Sequence, residues 1–234
     1  MDVGLEQGLA GGRGRVRVAY FDNEFSDLLE YVSNTVLPQL GVPVAVANAS
    51  GYGAYVNAQS NRSKGMELSA EAAAGKVRVT ASYMYLDAVV TASLSGGALS
   101  PAKNPSIPGI LIGAYSPLVG ARPFRRPANS GSATIAYTEG KAQIALAAYF
   151  VGQSDDSTFL SDANFGNTLL LPNKDLDSAY QKIDIRGAYT FHPRVSGYLT
   201  LENAFDRTYE AASGFPALPR TVRVGLKLTL GGQR

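Results

Sequence analysis

Cysteine and tryptophan are absent from this chain of 234 residues, and histidine occurs once, at His192. Without thiols there is no disulfide scaffold, no Cys-ligated zinc and no thiol nucleophile. With a single imidazole, any metal site would have to be built from oxygen ligands. His192 stands beside Pro193 in a segment that reads as a tight turn, away from any nucleophile it could serve. No metal, no cofactor and no enzymatic activity are expected. Charge is also sparse: 17% of residues are charged, against about 25% in an average soluble domain. The net charge of +2 is spread along the chain, which gives no electrostatic case for nucleic acid. Long apolar runs are missing too. One long uncharged stretch, Asn104 to Ala121, is broken by Pro105, Pro108 and Pro117 and cannot run as a spanning helix. The first residues, MDVGLEQGLAGGRG, lack the basic start and apolar core of a secretory signal. Their glycines also lack the strand–loop–helix context of a phosphate loop.

What the chain does have is period two. In Thr221 to Leu230, the residues Val222, Val224, Leu226, Leu228 and Leu230 fall on one side, and Thr221, Arg223, Gly225, Lys227 and Thr229 on the other. A helix does not sort residues this way; a strand with one oily and one wet face does. Ile183 to Phe191, Ala142 to Gln153 and Val77 to Tyr85 repeat the pattern. The alternation predicts about nine strands, near 2–10, 14–31, 54–74, 76–92, 122–138, 141–154, 180–192, 195–210 and 219–231. Most exceed the roughly 9–11 residues that cross a bilayer at a tilt, whereas soluble strands average about 5–6. Gly11–Gly12, Gly75, Glu139–Gly140 and His192–Pro193–Arg194 mark tight turns. Long links, Val32 to Gly53, Ser93 to Ala121, Ser154 to Ala179 and Ala211 to Leu218, alternate with them. That asymmetry matches short periplasmic turns and long external loops. The expectation is an all-β fold: an antiparallel transmembrane β-barrel or barrel sector. The alternative is a free-standing all-β ligand-binding or adhesin domain, soluble or surface-exposed, whose oily faces pack on a second layer.

The segment Leu201 to Leu230 carries Asn203, Ala204, Phe205, Asp206 and Tyr209, followed by Pro219, Arg220 and the final strand. It resembles the last two strands of TonB-dependent outer-membrane receptors. Arg62 to Ala72, Ala81 to Ala88, Arg122 to Tyr137 and Val16 to Tyr31 resemble earlier strands of that family, in family order. The resemblance implies that residues 1–234 are the C-terminal portion of such a barrel, with the plug and the first barrel half absent. Two departures stand out: the chain ends Leu230-Gly-Gly-Gln-Arg rather than on an aromatic residue, and nine strands cannot close an antiparallel barrel alone. The implied function is uptake of a scarce ligand across the Gram-negative outer membrane, of the iron–siderophore or cobalamin type. The implied partners are outer-membrane lipid, a small-molecule metal chelate or cobalamin-like ligand, and an energy-coupling complex reached only through the missing plug.

Candidate site residues follow from the links. Phe159 and Phe165, with Tyr52 and Tyr115, would form an aromatic lip for a ligand on the external side. The carboxylates Asp155, Asp156, Asp162, Asp175 and Asp177 crowd one link; their spacing fits no EF-hand loop, and they read as a solvated acidic loop. Arg78, Glu67, Glu71, Arg186, Glu202, Arg223 and Lys227 fall on wet strand faces, where hydration and mutual pairing are expected.

Overall fold

A computed structural model describes residues 1–34, 37–51, 53–93, 102–103, 111–112, 119–160 and 169–230, with backbone alone at 33, 102–103, 111–112, 157–160 and 169–174. Nine long strands form one antiparallel sheet: β1 (Asp2–Leu9), β2 (Gly14–Ser33), β3 (Gly53–Ala74), β4 (Val77–Ala92), β7 (Asn129–Glu139), β8 (Ala142–Val151), β11 (Tyr180–His192), β12 (Val195–Glu202) and β15 (Thr221–Leu228). Each pairs with the next in the order given, so the sheet is a simple meander. Its edges, β1 and β15, run in the same direction because nine is odd, and the barrel does not close. Three two-stranded ribbons lie in the links: β5 (Ala102–Lys103) with β6 (Leu111–Ile112), β9 (Ser154–Leu160) with β10 (Leu169–Asp177), and β13 (Glu210–Ala212) with β14 (Phe215–Pro216). None joins the main sheet. A short helix α1 (Val44–Ala49) sits in the β2–β3 link. Among the described residues, no helix is long and apolar enough to cross a membrane.

The register fixes the two faces. Val224 pairs with Leu199, and Leu226 with Gly197. On the same face Val222 pairs with Leu201, and that row runs on through Ile185 to Leu146, Ile135, Val79 and Ala72, while Leu68 pairs with Val18 and Val18 with Leu5. One face of the sheet is thus oily from edge to edge. Among the described residues it has no second layer on it: Val222, Val224, Leu226 and Leu228 are 60%, 73%, 70% and 63% exposed. The opposite face carries Arg15, Arg17, Glu71, Thr80, Thr134, Arg186, Thr200 and Arg223. There Glu6 bonds Arg17 at 3.0 Å and Arg15 at 3.1 Å, Arg15 reaches Glu71 at 3.4 Å, and Arg223 reaches Glu202 at 3.0 Å. The expected mutual pairing of wet-face charges therefore holds for Glu71, Glu202 and Arg223. Arg78, Glu67, Arg186 and Lys227 have no ion-pair partner among the described residues.

Aromatic rows bound the oily face. Tyr137, Tyr189 and Phe191 lie toward the tight-turn end, and Tyr20, Tyr83, Tyr85 and Phe150 toward the link end. The Tyr83 and Phe150 rings stack at 6.1 Å across Gly131, where a Cβ would sit 2.5 Å from Phe150. A side chain at that position would push the rings apart. From Val77 to Tyr85 the strand runs roughly 26 Å, or about 20 Å of height at the usual tilt, close to the apolar band of a bilayer-spanning barrel. Just beyond Tyr20, Met66 and Tyr85 the same face turns ionic: Arg62 bonds Asp22 at 3.0 Å, and Lys64 pairs with Asp87 at 3.2 Å.

Two predicted strands are shorter than expected. The 122–128 segment is not strand, because Pro123, Pro127 and a left-handed Arg125 (φ 58°) break extended pairing. The 195–210 strand stops at Glu202, where Asn203 (φ 51°) turns the chain out of the sheet.

Candidate functional site

The wet face is polar near the tight turns but becomes aromatic at the link end. On β2 its positions run Arg15, Arg17, Ala19, Phe21, Asn23, Phe25. The Phe21 ring lies over Gly65, where a Cβ would meet Phe21 Cζ at 2.8 Å and the Tyr85 carbonyl at 2.1 Å. Only glycine at 65 leaves room for the ring to lie flat. Beyond it, Phe21, Phe25, Asn61 and Ser63 wall a recess of about 340 Å³, roofed by Pro123 and Arg126 of the β4–β7 link. Asn61 Oδ1 is buried there without a hydrogen-bond partner among the described residues. A buried acceptor left open in this way calls for a donor from water or a ligand. Arg126 is exposed and has no ion-pair partner among the described residues, so its charge is available at the roof. Aromatic walls, an open acceptor and a free cation suit an anionic or polar ligand with a flat apolar part.

Buried acids hold the links above this recess. Asp155, Asp156 and Asp177 are 1%, 0% and 6% exposed, so the expectation of a solvated acidic loop is corrected. Burial of charge requires partners, and three separate links supply them. Arg125 Nε donates to both Asp156 oxygens at 3.1 and 3.0 Å, and the Ser213 N–H donates to Asp156 Oδ2 at 3.1 Å. Ser154 Oγ donates to Asp177 Oδ2 at 3.1 Å, and the Asp175 N–H donates to Asp155 Oδ1 at 3.0 Å. Burial, then the neighbouring Asp156 charge, pushes the Asp177 carboxyl up from its ordinary value. Among the described residues, no group of three or more His, Cys, Asp or Glu is placed to hold a metal ion. Asp162 lies outside the described residues.

A second knot explains the Asn203–Tyr209 motif. Asn203 Nδ2 donates to the Arg207 and Leu218 carbonyls, at 2.9 and 3.3 Å, while its Oδ1 accepts the Arg207 N–H at 2.9 Å. Its own N–H is received by buried Asp184 at 3.0 Å. Asp206 accepts the Arg220 N–H at 2.7 Å, and Tyr209 stacks on Tyr180 at 4.0 Å. The motif closes the last link onto the strands it connects. On the oily-face side, Phe150, Asn129, Gln181 and Arg207 border a second recess of about 520 Å³.

Of the residues expected to form an aromatic lip, Tyr52, Tyr115 and Phe165 lie outside the described residues. Phe159 is placed in β9 by its backbone, opposite Leu170. Phe21, Phe25, Asn61 and Arg126 were not singled out from the sequence. Their signal was the pair of phenylalanines on the wet register of β2. His192 ends β11 exposed, accepting the Arg194 N–H at 3.3 Å, as a turn residue should.

A family model described as TonB dependent receptor-like, beta-barrel, matches residues 1–204. Among solved structures, the ferripyoverdine receptor of the outer membrane of Pseudomonas aeruginosa is similar over 97% of this chain and 26% of its own, at 16% identity and a TM-score of 0.63. The FrpB iron transporter from Neisseria meningitidis is similar over 97% and 30%, at 18% identity and 0.62. The ferric-catecholate import receptor Fiu from E. coli K12 follows over 97% and 27%, at 16% and 0.58. At these identities the likeness speaks for the fold. The chain spans between about a quarter and a third of the length of these structures. No curated protein matches it.

Proposed function

This chain belongs to the β-barrel family of TonB-dependent receptors, and from that premise we propose that it forms the C-terminal sector of an outer-membrane receptor wall that takes up a scarce metal chelate. The observation that carries the reading is the aromatic recess with Arg126 and the open Asn61 acceptor, set at the link end of a sheet whose other face is oily. In this reading the oily face meets outer-membrane lipid, the tight turns face the periplasm and the links face outward. The family is one of transport receptors, and the proposed work of this sector is binding rather than chemistry.

The free cation favours an anionic ligand. Of the two ligand types that the family resemblance implies, an iron–siderophore complex is preferred over a cobalamin, and the related structures named for iron transport support that choice. Tyr52, Tyr115, Phe159 and Phe165, all in the link sequences, are the further residues proposed to meet the ligand. Energy coupling would act through a plug seated against the wet face, where Arg78, Arg186 and Lys227 present charge. The test is uptake of radioactive iron by cells expressing the gene, offered as a panel of ferric siderophores. Arg126→Glu is expected to cut uptake of one anionic complex about tenfold or more, with surface protein level unchanged. Uptake of every complex at the wild-type rate by both Arg126→Glu and Phe25→Ala would rule out the recess as the ligand site.

A further inference from the structure

We propose that Asp156 is a positioning residue of the mouth, and that a proton carried on the orphaned oxygen of Asp177 and donated to Asp156 latches three external links together and fixes where Arg126 points. The inference rests on the outward placement of the links proposed above. Asp156 is the only side chain among those described that receives Arg125 from the β4–β7 link and Ser213 from the β12–β15 link while standing in β9 of the β8–β11 link. Asp177 on β10 stands opposite Ser154, two positions along β9 from Asp156, and is within reach of the Asp156 charge. Asp177 Oδ2 accepts from Ser154, but its Oδ1 is buried with no partner among the described residues. A proton on that oxygen would satisfy it by donating to Asp156. Without the proton, Asp177 Oδ1 is a buried charged oxygen with no partner among the described residues, close to a second buried carboxylate.

Among the described residues, few charged groups face Asp177. β9 presents Asp156, the β4–β7 link reaches it only through Arg125 on Asp156, and the final link presents the Ser213 N–H. Asp155 is turned to the Asp175 N–H. The consequence for Arg126 is geometric. Arg125 is left-handed at φ 58°, a strained setting for a residue with a side chain. It is held there by its N–H on the Asp155 carbonyl at 2.7 Å and its guanidinium on Asp156. Releasing either lets the next residue, Arg126, leave the roof of the recess.

The sequence supplies a reporter for this state. Arg122 and Arg126 precede prolines, so Arg125–Arg126 is the one bond that trypsin can cut between residues 122 and 128. Cleavage there is followed by mass spectrometry on the chain as expressed in outer membranes, at about pH 5.5 and 8.5. Asp177→Asn is the reference, because its amide donates to Asp156 and accepts from Ser154 at any pH. Dividing the wild-type rate by the Asp177→Asn rate removes the protease's own pH dependence. The latch predicts a ratio near one at low pH that rises about fivefold or more at high pH. Asp156→Asn is expected to cleave fast at both. A ratio that stays flat, or Asp177→Asn cleaving faster than wild type at low pH, overturns the proton on Asp177. Heat-modifiable migration confirms that each variant is folded, and because the readout needs no ligand it stands apart from the uptake test.

Discussion

The two ends of the sheet solve the same problem by opposite means. At the tight-turn end, strands reverse through glycine and proline positions within a few residues. At the link end, the chain leaves the sheet through long segments tied back by buried polar knots around Asp156 and Asn203. A turn is a local device, so its information lies in a few adjacent residues. A knot is a tertiary device: Asp156 gathers donors from two other links, and Asn203 ties residues up to fifteen positions apart to each other and to Asp184 of a neighbouring strand. The order of the link end therefore depends on single side chains.

The largest expected contrast is between faces rather than ends. Val224→Arg puts a cation near mid-height on the oily face and is expected to cost about 2–4 kcal/mol, while Lys227→Leu on the wet face of the same strand stays near zero. Urea titration of the folded fraction, read by heat-modifiable migration, measures both. Equal losses would erase the distinction between the faces. Next in size is Asn203→Ala, which removes three side-chain bonds and a residue suited to φ 51°. A loss of about 1–3 kcal/mol is expected, confined to the 203–220 link in hydrogen exchange. Protection lost equally at the tight turns would show that the two ends are not independent.

The smallest effect concerns the ionic row above the aromatics. The Arg62 guanidinium holds the Asp22 carboxyl below its usual range. A lowered acid stabilises the fold above its unfolded value and loses that contribution as pH falls through the folded one. Asp22→Asn should therefore change stability slightly at neutral pH and not at all in strong acid, with the difference shrinking in high salt. A difference that grows toward acid would reverse the assignment.

Much of the fold was legible in the sequence because period two is a local property. All nine long strands and the alternation of tight turns with long links follow from it. Strand ends were less legible. Residues 122–128 and 203–210 continue an extended-looking pattern, and what ends it is the left-handed setting of Arg125, held by Asp155 and Asp156 of another link, and of Asn203, held by Arg207, Leu218 and Asp184. Burial of Asp155, Asp156 and Asp177 was illegible for the same reason: five acids in one link read as solvated until Arg125 and Ser213 are known to reach them. The recess was half legible. Phe21 and Phe25 on a register otherwise polar were a signal, but Arg126 reaches them only through the fold of a different link.

The account depends on which face meets hydrocarbon. Since the chain has no cysteine, single cysteines at Val222, Arg223, Val224, Gly225, Leu226 and Lys227 can each carry one fluorophore in protein folded into bilayers with brominated acyl chains. Quenching is predicted to alternate, strong at Val222, Val224 and Leu226 and weak at Arg223, Gly225 and Lys227. Quenching that is uniform along β15, or strong at Arg223 and Lys227, would contradict the account.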